Sequence, residues 1–332
     1  MRPVLSCVLV VLAGCAAPPR ESARTDAPAQ PAAAGQAEAR AATILAFNEG
    51  PTVDAAGNVY FTETVFERII KMRPDGTVTV FRENSNAANG LLIDNAGRLL
   101  ACEGSGARRI IAEGAKPADS GLKPRVTRTD LTTGKVEVLA DGYEGKPFDK
   151  PNDITMDNRG RLYFTDLPGG AVYRIDTDRK LTRLLTRPEI QRPNGISISP
   201  DDKTLYLVEA NQAEGGARMI RAYNLNDDGS LANMRVFHNF YPGRSADGVC
   251  MDSAGNLHAV AGLHQRRGSS ETLDTKPGVH VFSPQGKLLR YIPIPEDTVT
   301  NCAFGGPDRK TLYVTAGKGL YQVPVETPGT TR

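Results

Sequence analysis

Six oxygen-bearing side chains recur along this chain at the same position of a repeated motif. In each motif the polar residue leads into a short apolar run, a turn and a second apolar strand. These leading residues are Glu49, Asn89, Asn152, Asn194, Asp247 and Asn301. If the repeats close into a ring, equivalent positions meet around one axis, and carboxylate and amide oxygens gathered there form a site for a hard cation.

The chemistry of this set favours one divalent cation. Glu49 and Asp247 supply carboxylates, and the asparagines supply neutral carbonyl oxygens. Calcium suits such a set because it accepts about six to eight oxygen ligands with loose geometry. Thiolate and imidazole ligands are absent from these positions. We therefore expect Ca²⁺, with Mg²⁺, Mn²⁺ or Zn²⁺ as alternatives. A single Asn-Gly or Asp-Gly pair would be an ordinary turn, but six leading residues in register favour a metal site.

The elements that must position these side chains are short strands. Four motifs place an aspartate five residues after the leading residue and a glycine eight residues after it, as in a hairpin turn. Second strands such as NVYFTE and RLYFTD follow, and most repeats continue into two more. This pattern predicts an all-β fold, a six-bladed β-propeller with four-stranded blades around a central channel. A β-sandwich has similar strand spacing but no reason to repeat a polar residue at one phase.

The last repeat is short and ends in GLYQVPVE, so it lacks an outer strand. The segment AATILAF, just before Glu49, is expected to supply that strand and close the ring, which would cover two sheet edges. We expect the propeller to span residues 43–326 and a C-terminal tail to span 327–332. Residues 15–42, rich in Ala and Pro, are typical of a flexible tether.

Residues 1–14 are typical of a signal peptide, with Arg2 before an apolar run and Leu-Ala-Gly before Cys15. The segment resembles a bacterial lipobox, which implies cleavage before Cys15 and a lipid anchor on that cysteine. The apolar run is too short to span a bilayer in the mature protein. We therefore expect a periplasm-facing lipoprotein of the outer or inner membrane. An ordinary secretory signal with an accidental cysteine is the alternative.

Charge and cysteine content limit the remaining classes. The net charge of +2, without a long basic run, gives no electrostatic case for nucleic acid, and we expect a monomer. Cys102, Cys250 and Cys302 remain after the N-terminal segment. Cys250 and Cys302 lie at nearby phases of apolar runs, which favours buried free thiols and leaves a bridge between blades open.

Five motifs resemble, in order, the inner-strand motifs of the family that contains gluconolactonase and regucalcin (senescence marker protein). They are EGPTVD, KPNDITMDNRGRLYFTD, RPNGISISPDDKTLYLVE, ADGVCMDSAGNLHAV and TNCAFGGPDRKTLYVT. The resemblance covers roughly residues 44–325 and implies a six-bladed propeller with one catalytic divalent cation. It implies that Glu49, Asn152, Asn194 and Asp247 bind the metal and that Asp247 has the catalytic role.

The same resemblance suggests substrate contacts. The segment ACEGSGARRI is similar to the family's second blade and includes Arg109, but Gly104 stands where histidine is common. Lys150 lies where some members carry a substrate-contacting arginine. Together with Asn89 and Asn301 on the ring, Arg109 and Lys150 are the expected contacts to a small-molecule substrate.

The resulting hypothesis is a metal-dependent hydrolase, a gluconolactonase-like lactonase. The cation would polarise the carbonyl of a sugar lactone or related ester, and a water activated by Asp247 or by the metal would attack it. One alternative is a phosphotriesterase or broad esterase on the same ring. Another is a non-catalytic propeller at the cell envelope that holds calcium for structure and acts as a sensor or binding module. The chain has no Gly-x-Ser-x-Gly elbow and no His-Glu-x-x-His motif.

Overall fold

The computed structural model of the protein describes residues 39–45, 47–104 and 123–330. The predicted signal peptide, Cys15, almost all of the predicted tether and Arg109 lie outside these described residues. Within them the chain forms strands and turns without a helix. Accordingly, no helix of the described part is long and apolar enough to span a membrane.

The strands of the first half form two blades and a small hairpin. The first described strand is β1 (Arg40–Ile44). Blade 1 contains β2 (Asn48–Val53), β3 (Val59–Glu63), β4 (Arg68–Met72) and β5 (Val78–Arg82). Blade 2 contains β6 (Leu91–Ile93), β7 (Leu99–Glu103), β8 (Arg125–Thr129) and β9 (Val136–Ala140). The hairpin of β10 (Gly142–Tyr143) and β11 (Lys146–Pro147) follows.

Four further blades complete the structure. Blade 3 contains β12 (Pro151–Met156), β13 (Leu162–Asp166), β14 (Ala171–Ile175) and β15 (Leu181–Thr186). Blade 4 contains β16 (Pro193–Ile198), β17 (Thr204–Ala210), β18 (Arg218–Leu225) and β19 (Leu231–Asn239). Blade 5 contains β20 (Ala246–Met251), β21 (Leu257–Ala261), β22 (Gly278–Phe282) and β23 (Leu288–Pro293). Blade 6 contains β24 (Val299–Gly305), β25 (Thr311–Ala316) and β26 (Gly319–Pro324), with β1 as its fourth strand.

The six four-stranded antiparallel sheets form a ring, which confirms the predicted six-bladed β-propeller. The two ends of the described chain meet in blade 6, where Arg40 of β1 lies opposite Gln322 of β26. The closing strand predicted from AATILAF is therefore confirmed, and it begins at Arg40. At the other end, the Gly329 N–H donates to the Arg309 carbonyl at 2.9 Å, so residues of the predicted tail pack on the propeller.

The hydrophobic core is divided among the blade–blade contacts. Six clusters of buried apolar side chains occur in the described residues, one between each pair of neighbouring blades. The second strand of a blade contributes to two clusters because successive side chains point to opposite faces of a strand. In β3, Tyr60 packs toward blade 2 and Phe61 toward blade 6. This explains why the second strands are nearly continuous apolar runs, since both of their faces are buried.

Glycine after the leading residue lets neighbouring inner strands approach closely. A Cβ on Gly50 would lie 2.2 Å from the Asn89 carbonyl oxygen, and one on Gly195 would lie 2.4 Å from the Asp247 carbonyl oxygen. Any larger residue would push the inner strands apart. The Glu-Gly and Asn-Gly pairs at these positions thus lie within strands and not in turns, and their glycines set the width of the ring.

Candidate active site

Five of the six leading residues line a single cavity at one end of the channel. This cavity, which we call the ring cavity, has a volume of about 890 Å³ and includes Glu49, Asn89, Asn152, Asn194 and Asp247 in its wall. Second strands fix the backbone of these positions from the neighbouring blade. Thr62 Oγ1 donates to the Asn89 carbonyl at 3.0 Å, and Thr165 Oγ1 donates to the Asn194 carbonyl at 2.8 Å.

A chain of hydrogen bonds links four of these side chains. Asn89 Nδ2 donates to Asn152 Oδ1 at 3.2 Å, and Asn152 Nδ2 donates to Asn194 Oδ1 at 2.5 Å. Asn194 Nδ2 then donates to Asp247 Oδ1 at 2.7 Å. The chain ends on a carboxylate, which only accepts, so every amide in it has a defined orientation. The predicted ligands Asn152, Asn194 and Asp247 are therefore direct neighbours.

Asp247 is held on both of its oxygens. Arg244 Nη2 donates to Asp247 Oδ2 at 2.7 Å, and the Arg244 side chain is only 8% exposed. Burial raises the pKa of the Asp247 carboxyl, while the Arg244 charge and the hydrogen bonds from Asn194 and Arg244 act in the opposite direction. The two neighbours thus favour an ionised carboxylate in a site that would otherwise disfavour charge.

Carboxyl groups are concentrated at and beneath the ring. Burial raises the pKa of the Glu49 carboxyl well above its ordinary value, and the charges of Asp247 and Asp153 raise it further. Burial and the nearby Asp247 also raise the pKa of Asp153, to about 8. Glu49 and Asp153 are buried and the Asp247 side chain is 15% exposed, so three carboxyl groups this close together are unfavourable unless protons or cations compensate them.

The donor set fits a hard divalent cation. Glu49 and Asp247 provide charged oxygens, Asn152 and Asn194 provide amide oxygens, and a bound cation would relieve the repulsion that raises the Glu49 pKa. No group of three or more His, Cys, Asp or Glu side chains suited to a metal occurs among the described residues. Cation binding by this set would therefore depend on the Asn152 and Asn194 amides as well as on the carboxylates. Thiolates and imidazoles, the usual ligands of zinc, do not contribute to the set.

Asn301, the sixth leading residue, is not brought together with the other five in the ring cavity. It lines a second cavity of about 890 Å³ on the hairpin side of the channel, together with Asp153. Asn301 Nδ2 donates to Asp153 Oδ1 at 2.8 Å, and Asn301 Oδ1 accepts the Cys302 N–H at 2.8 Å. Both ends of its amide are thus engaged within the protein.

Asp153 is a functional candidate that the repeat pattern did not reveal. If side chains alternated strictly along β12, Asp153 would point away from the channel, because Asn152 immediately before it faces the ring cavity. However, β12 has one extra residue relative to β13 between Pro151 and Ile154. This bulge lets two adjacent side chains reach the channel. The Asn-Asp pair at residues 152–153 was the available signal.

Basic side chains line the ring cavity beyond the leading residues. Lys150, the predicted substrate contact, is exposed at its wall, and Arg192, Arg244 and Arg267 accompany it. Lys150 and Arg192 lie in loops whose backbone is held by a buried acid at the end of a second strand. The Lys150 N–H donates to Asp166 Oδ1 at 2.7 Å, and the Arg192 N–H donates to Glu209 Oε2 at 2.8 Å.

The remaining sequence candidates have structural partners. In the second blade, Glu103 is fully buried and pairs with Arg82 at 2.6 Å and Arg125 at 2.7 Å. Cys102, Cys250 and Cys302 are free thiols, and the last two lie with their Sγ atoms 3.0 Å apart.

Comparison with known proteins identifies relatives over most of this fold. The gluconolactonase of Zymomonas mobilis subsp. mobilis is 28% identical over 313 residues, covering 87% of this chain and 81% of the relative. The 6-deoxy-6-sulfogluconolactonase of Pseudomonas putida is 27% identical over 190 residues, covering 55% of this chain and 59% of that protein.

Solved structures agree with this result. The structure of a gluconolactonase from Xanthomonas campestris superposes with a TM-score of 0.71 at 28% identity, covering 87% of this chain and 90% of the other. The family model described as "SMP-30/Gluconolactonase/LRE-like region" matches residues 47–318, and the chain therefore belongs to this family.

Proposed function

We propose that the protein is a lactonase that opens a sugar lactone or a related lactone at the ring cavity with the help of a divalent cation. The observation that carries the proposal is the convergence of Glu49, Asn152, Asn194 and Asp247 on one polar cavity. The relatives named gluconolactonase and 6-deoxy-6-sulfogluconolactonase support a lactone as the substrate.

Glu49, Asn152, Asn194 and Asp247 would hold the cation. When bound, the cation would supply polarisation of the lactone carbonyl and stabilisation of the negative charge that develops on its oxygen. We propose Ca²⁺ as the resident ion, with Mg²⁺, Mn²⁺ or Zn²⁺ as alternatives. Support comes from the all-oxygen donor set and from the mutual repulsion of the Glu49 and Asp247 carboxylates.

Asp247 would accept the proton of the attacking water. Its two oxygens already accept hydrogen bonds from Asn194 and Arg244, and each has a second lone pair, so one could bind the cation and the other could accept from the water. Because those two bonds fix the carboxylate plane, the remaining lone pairs have a defined direction. Asn89 and Lys150, on the same cavity wall, would bind substrate oxygens.

Removal and return of metal is the first test. Protein treated with EDTA and dialysed should hydrolyse glucono-1,5-lactone at the rate of buffer alone, and added Ca²⁺ or another divalent ion should restore turnover. Proton release followed with a pH indicator measures the rate. Full activity in protein that is metal-free by elemental analysis would contradict the proposal.

A panel of substrates distinguishes a lactonase from a phosphotriesterase, a broad esterase and a non-catalytic binding propeller. Aldonolactones, an activated aryl ester and a phosphotriester should be compared under the same metal conditions, and we expect the lactones to be preferred by kcat/KM. A preference for the phosphotriester would instead favour a phosphotriesterase. Calcium-dependent melting without turnover of any panel member would favour a non-catalytic binding propeller.

We further propose that Cys15 anchors the propeller to the bacterial cell envelope, facing the periplasm. The Leu-Ala-Gly-Cys sequence and the Ala/Pro-rich segment after it support this location. In a bacterial host fed labelled palmitate, the full-length chain should incorporate label and sediment with membranes, and Cys15→Ser should do neither. Equal labelling of the two chains would contradict the anchor.

A further inference from the structure

The ring cavity holds more positive charge than the proposed reaction with a neutral lactone requires. Four cationic side chains line it, Lys150, Arg192, Arg244 and Arg267, against the carboxylates of Glu49, Asp247 and Glu271. Arg244 pairs with Asp247, and Arg267 lies 3.7 Å from Asp297, which is outside the cavity lining, whereas Lys150 and Arg192 have no ion pair with a described residue. The cavity wall is therefore electropositive when the site is loaded.

Arg267 already contacts Thr298 and Asp297, but the other two arginines are incompletely partnered. Arg244 is 93% buried, and although its Nη2 contacts Asp247, its Nη1 has no hydrogen-bond partner within the described part of the chain. The guanidinium of Arg192 has no ion pair or hydrogen bond to any described residue, while its backbone is fixed by Glu209. A buried N–H without an acceptor is costly, so Arg244 Nη1 indicates an oxygen supplied from outside the protein, and the half-buried Arg192 lines the same cavity.

These arginines converge on one side of the cavity. Arg192 precedes β16, Arg244 precedes β20, and Arg267 lies in the long loop between β21 and β22, so all three belong to blades 4 and 5. Burial and then the positive charge of Arg244 lower the pKa of Arg267, against the opposing charge of Asp297. Asp247 and Glu271 act on both Arg192 and Arg267, so these groups lie close to one another. Asn194 and Asp247 lie in the same two blades.

We infer that the lactone opened at this site carries an anionic group, a carboxylate, sulfonate or phosphate, and that Arg192, Arg244 and Arg267 bind it. The inference rests on the proposed lactonase function and specifies its substrate class. Planar guanidinium groups match the paired oxygens of all three anions, whereas a neutral polyol would leave Arg244 Nη1 and Arg192 without charged acceptors. Asn89, which the proposed cation does not use, would bind an uncharged hydroxyl group.

Binding of unreactive sugar acids tests the inference without turnover. Calorimetric titration of the metal-loaded protein should show 6-phosphogluconate binding about tenfold or more tightly than gluconate, as expected for one or more charge-assisted hydrogen bonds. Arg192→Ala and Arg267→Ala should each reduce this preference severalfold. Arg235→Ala, an exposed arginine on β19 of blade 4, is the matched control and should leave the preference unchanged.

Two results would overturn the inference. One is equal affinity for 6-phosphogluconate and gluconate. The other is a preference that survives in both Arg192→Ala and Arg267→Ala but disappears with EDTA, because the phosphate would then bind the metal alone.

Hydrolysis assays distinguish failure of the anionic-substrate inference from failure of the proposed lactonase function. Turnover of glucono-1,5-lactone at a kcat/KM equal to that of 6-phosphoglucono-1,5-lactone would sustain the lactonase and overturn the anionic substrate. Arginine-dependent binding of 6-phosphogluconate without turnover of either lactone would sustain the anion site and refute the lactonase.

Discussion

Cys250 and Cys302 should form a disulfide under mild oxidation. Their Sγ atoms lie 3.0 Å apart on the inner strands of blades 5 and 6, so they must approach by about 1 Å to reach a bond length of about 2.05 Å. With diamide as the oxidant, the two thiols would lose two protons and two electrons, which reduce the diazene to a hydrazine.

The expected stabilisation follows from the size of the loop that the bond closes. The two cysteines are 52 positions apart, and closing a loop of that length removes unfolded-state entropy worth about 4 kcal/mol at 25 °C. For a propeller of this size, that free energy corresponds to a rise of about 6 °C in melting temperature. Burial and the contact with Cys302 raise the pKa of the Cys250 thiol well above its usual value, so the bond should form faster as the pH rises.

Scanning calorimetry before and after oxidation measures the shift, and peptide mass mapping identifies the linked residues. Cys250→Ser should melt at one temperature under both conditions. Cys102 should remain a free thiol because it is fully buried in a different cluster, between blades 2 and 3. Peptides around Cys250 and Cys302 that stayed unlinked, or that were linked without any rise in melting temperature, would contradict this prediction.

Three further predictions concern the stability of the propeller. Arg218 is fully buried and donates to loop carbonyls, so Arg218→Leu should lower the free energy of unfolding by about 3 kcal/mol or more in urea titrations, whereas Arg235→Ala should change it little. A loss below about 1 kcal/mol would contradict this. Burial lowers the pKa of His280, so the unfolded chain binds more protons just below the ordinary value of 6.5, and stability should fall with acidification through that window. The fall should be smaller in His280→Gln, and an unchanged slope would count against the assignment. Deleting residues 1–47 removes β1 and should lower the melting temperature measured by circular dichroism, whereas deleting 1–38 should not, and equal melting of the two would argue against ring closure by β1.

The sequence repeat was sufficient to predict the architecture and most of the ring. The leading residues Glu49, Asn152, Asn194 and Asp247 occupy equivalent inner-strand positions, and a closed repeat must bring such positions together. The closing strand was predictable for the same reason, since one blade lacked a strand and one unassigned apolar segment remained.

Features that break the repeat could not be predicted in this way. Asp153 occupies the bulge position at which Gly50, Gly195 and Gly248 stand in other inner strands. Asn301 turns to this carboxyl group instead of to the ring cavity. Arg192 lies two positions before its leading residue, as Lys150 does, so the repeat relates these two basic residues. Arg244 and Arg267 lie in connections of different lengths, outside the repeated motif. No periodic pattern relates such loop residues, so their convergence depends on tertiary structure.

Asp247, held by Asn194 and Arg244, is the carboxylate at which we propose that a lactone is opened. The direct measurement is kcat/KM for glucono-1,5-lactone in Asp247→Asn, with Asp228→Asn in the exposed turn between β18 and β19 as the matched control. Removing a positioned base and a charged metal ligand should reduce kcat/KM by about 10²–10⁴-fold while the control retains full activity. Asp247→Asn protein that is folded and hydrolyses the lactone within about tenfold of the wild-type rate would contradict the account.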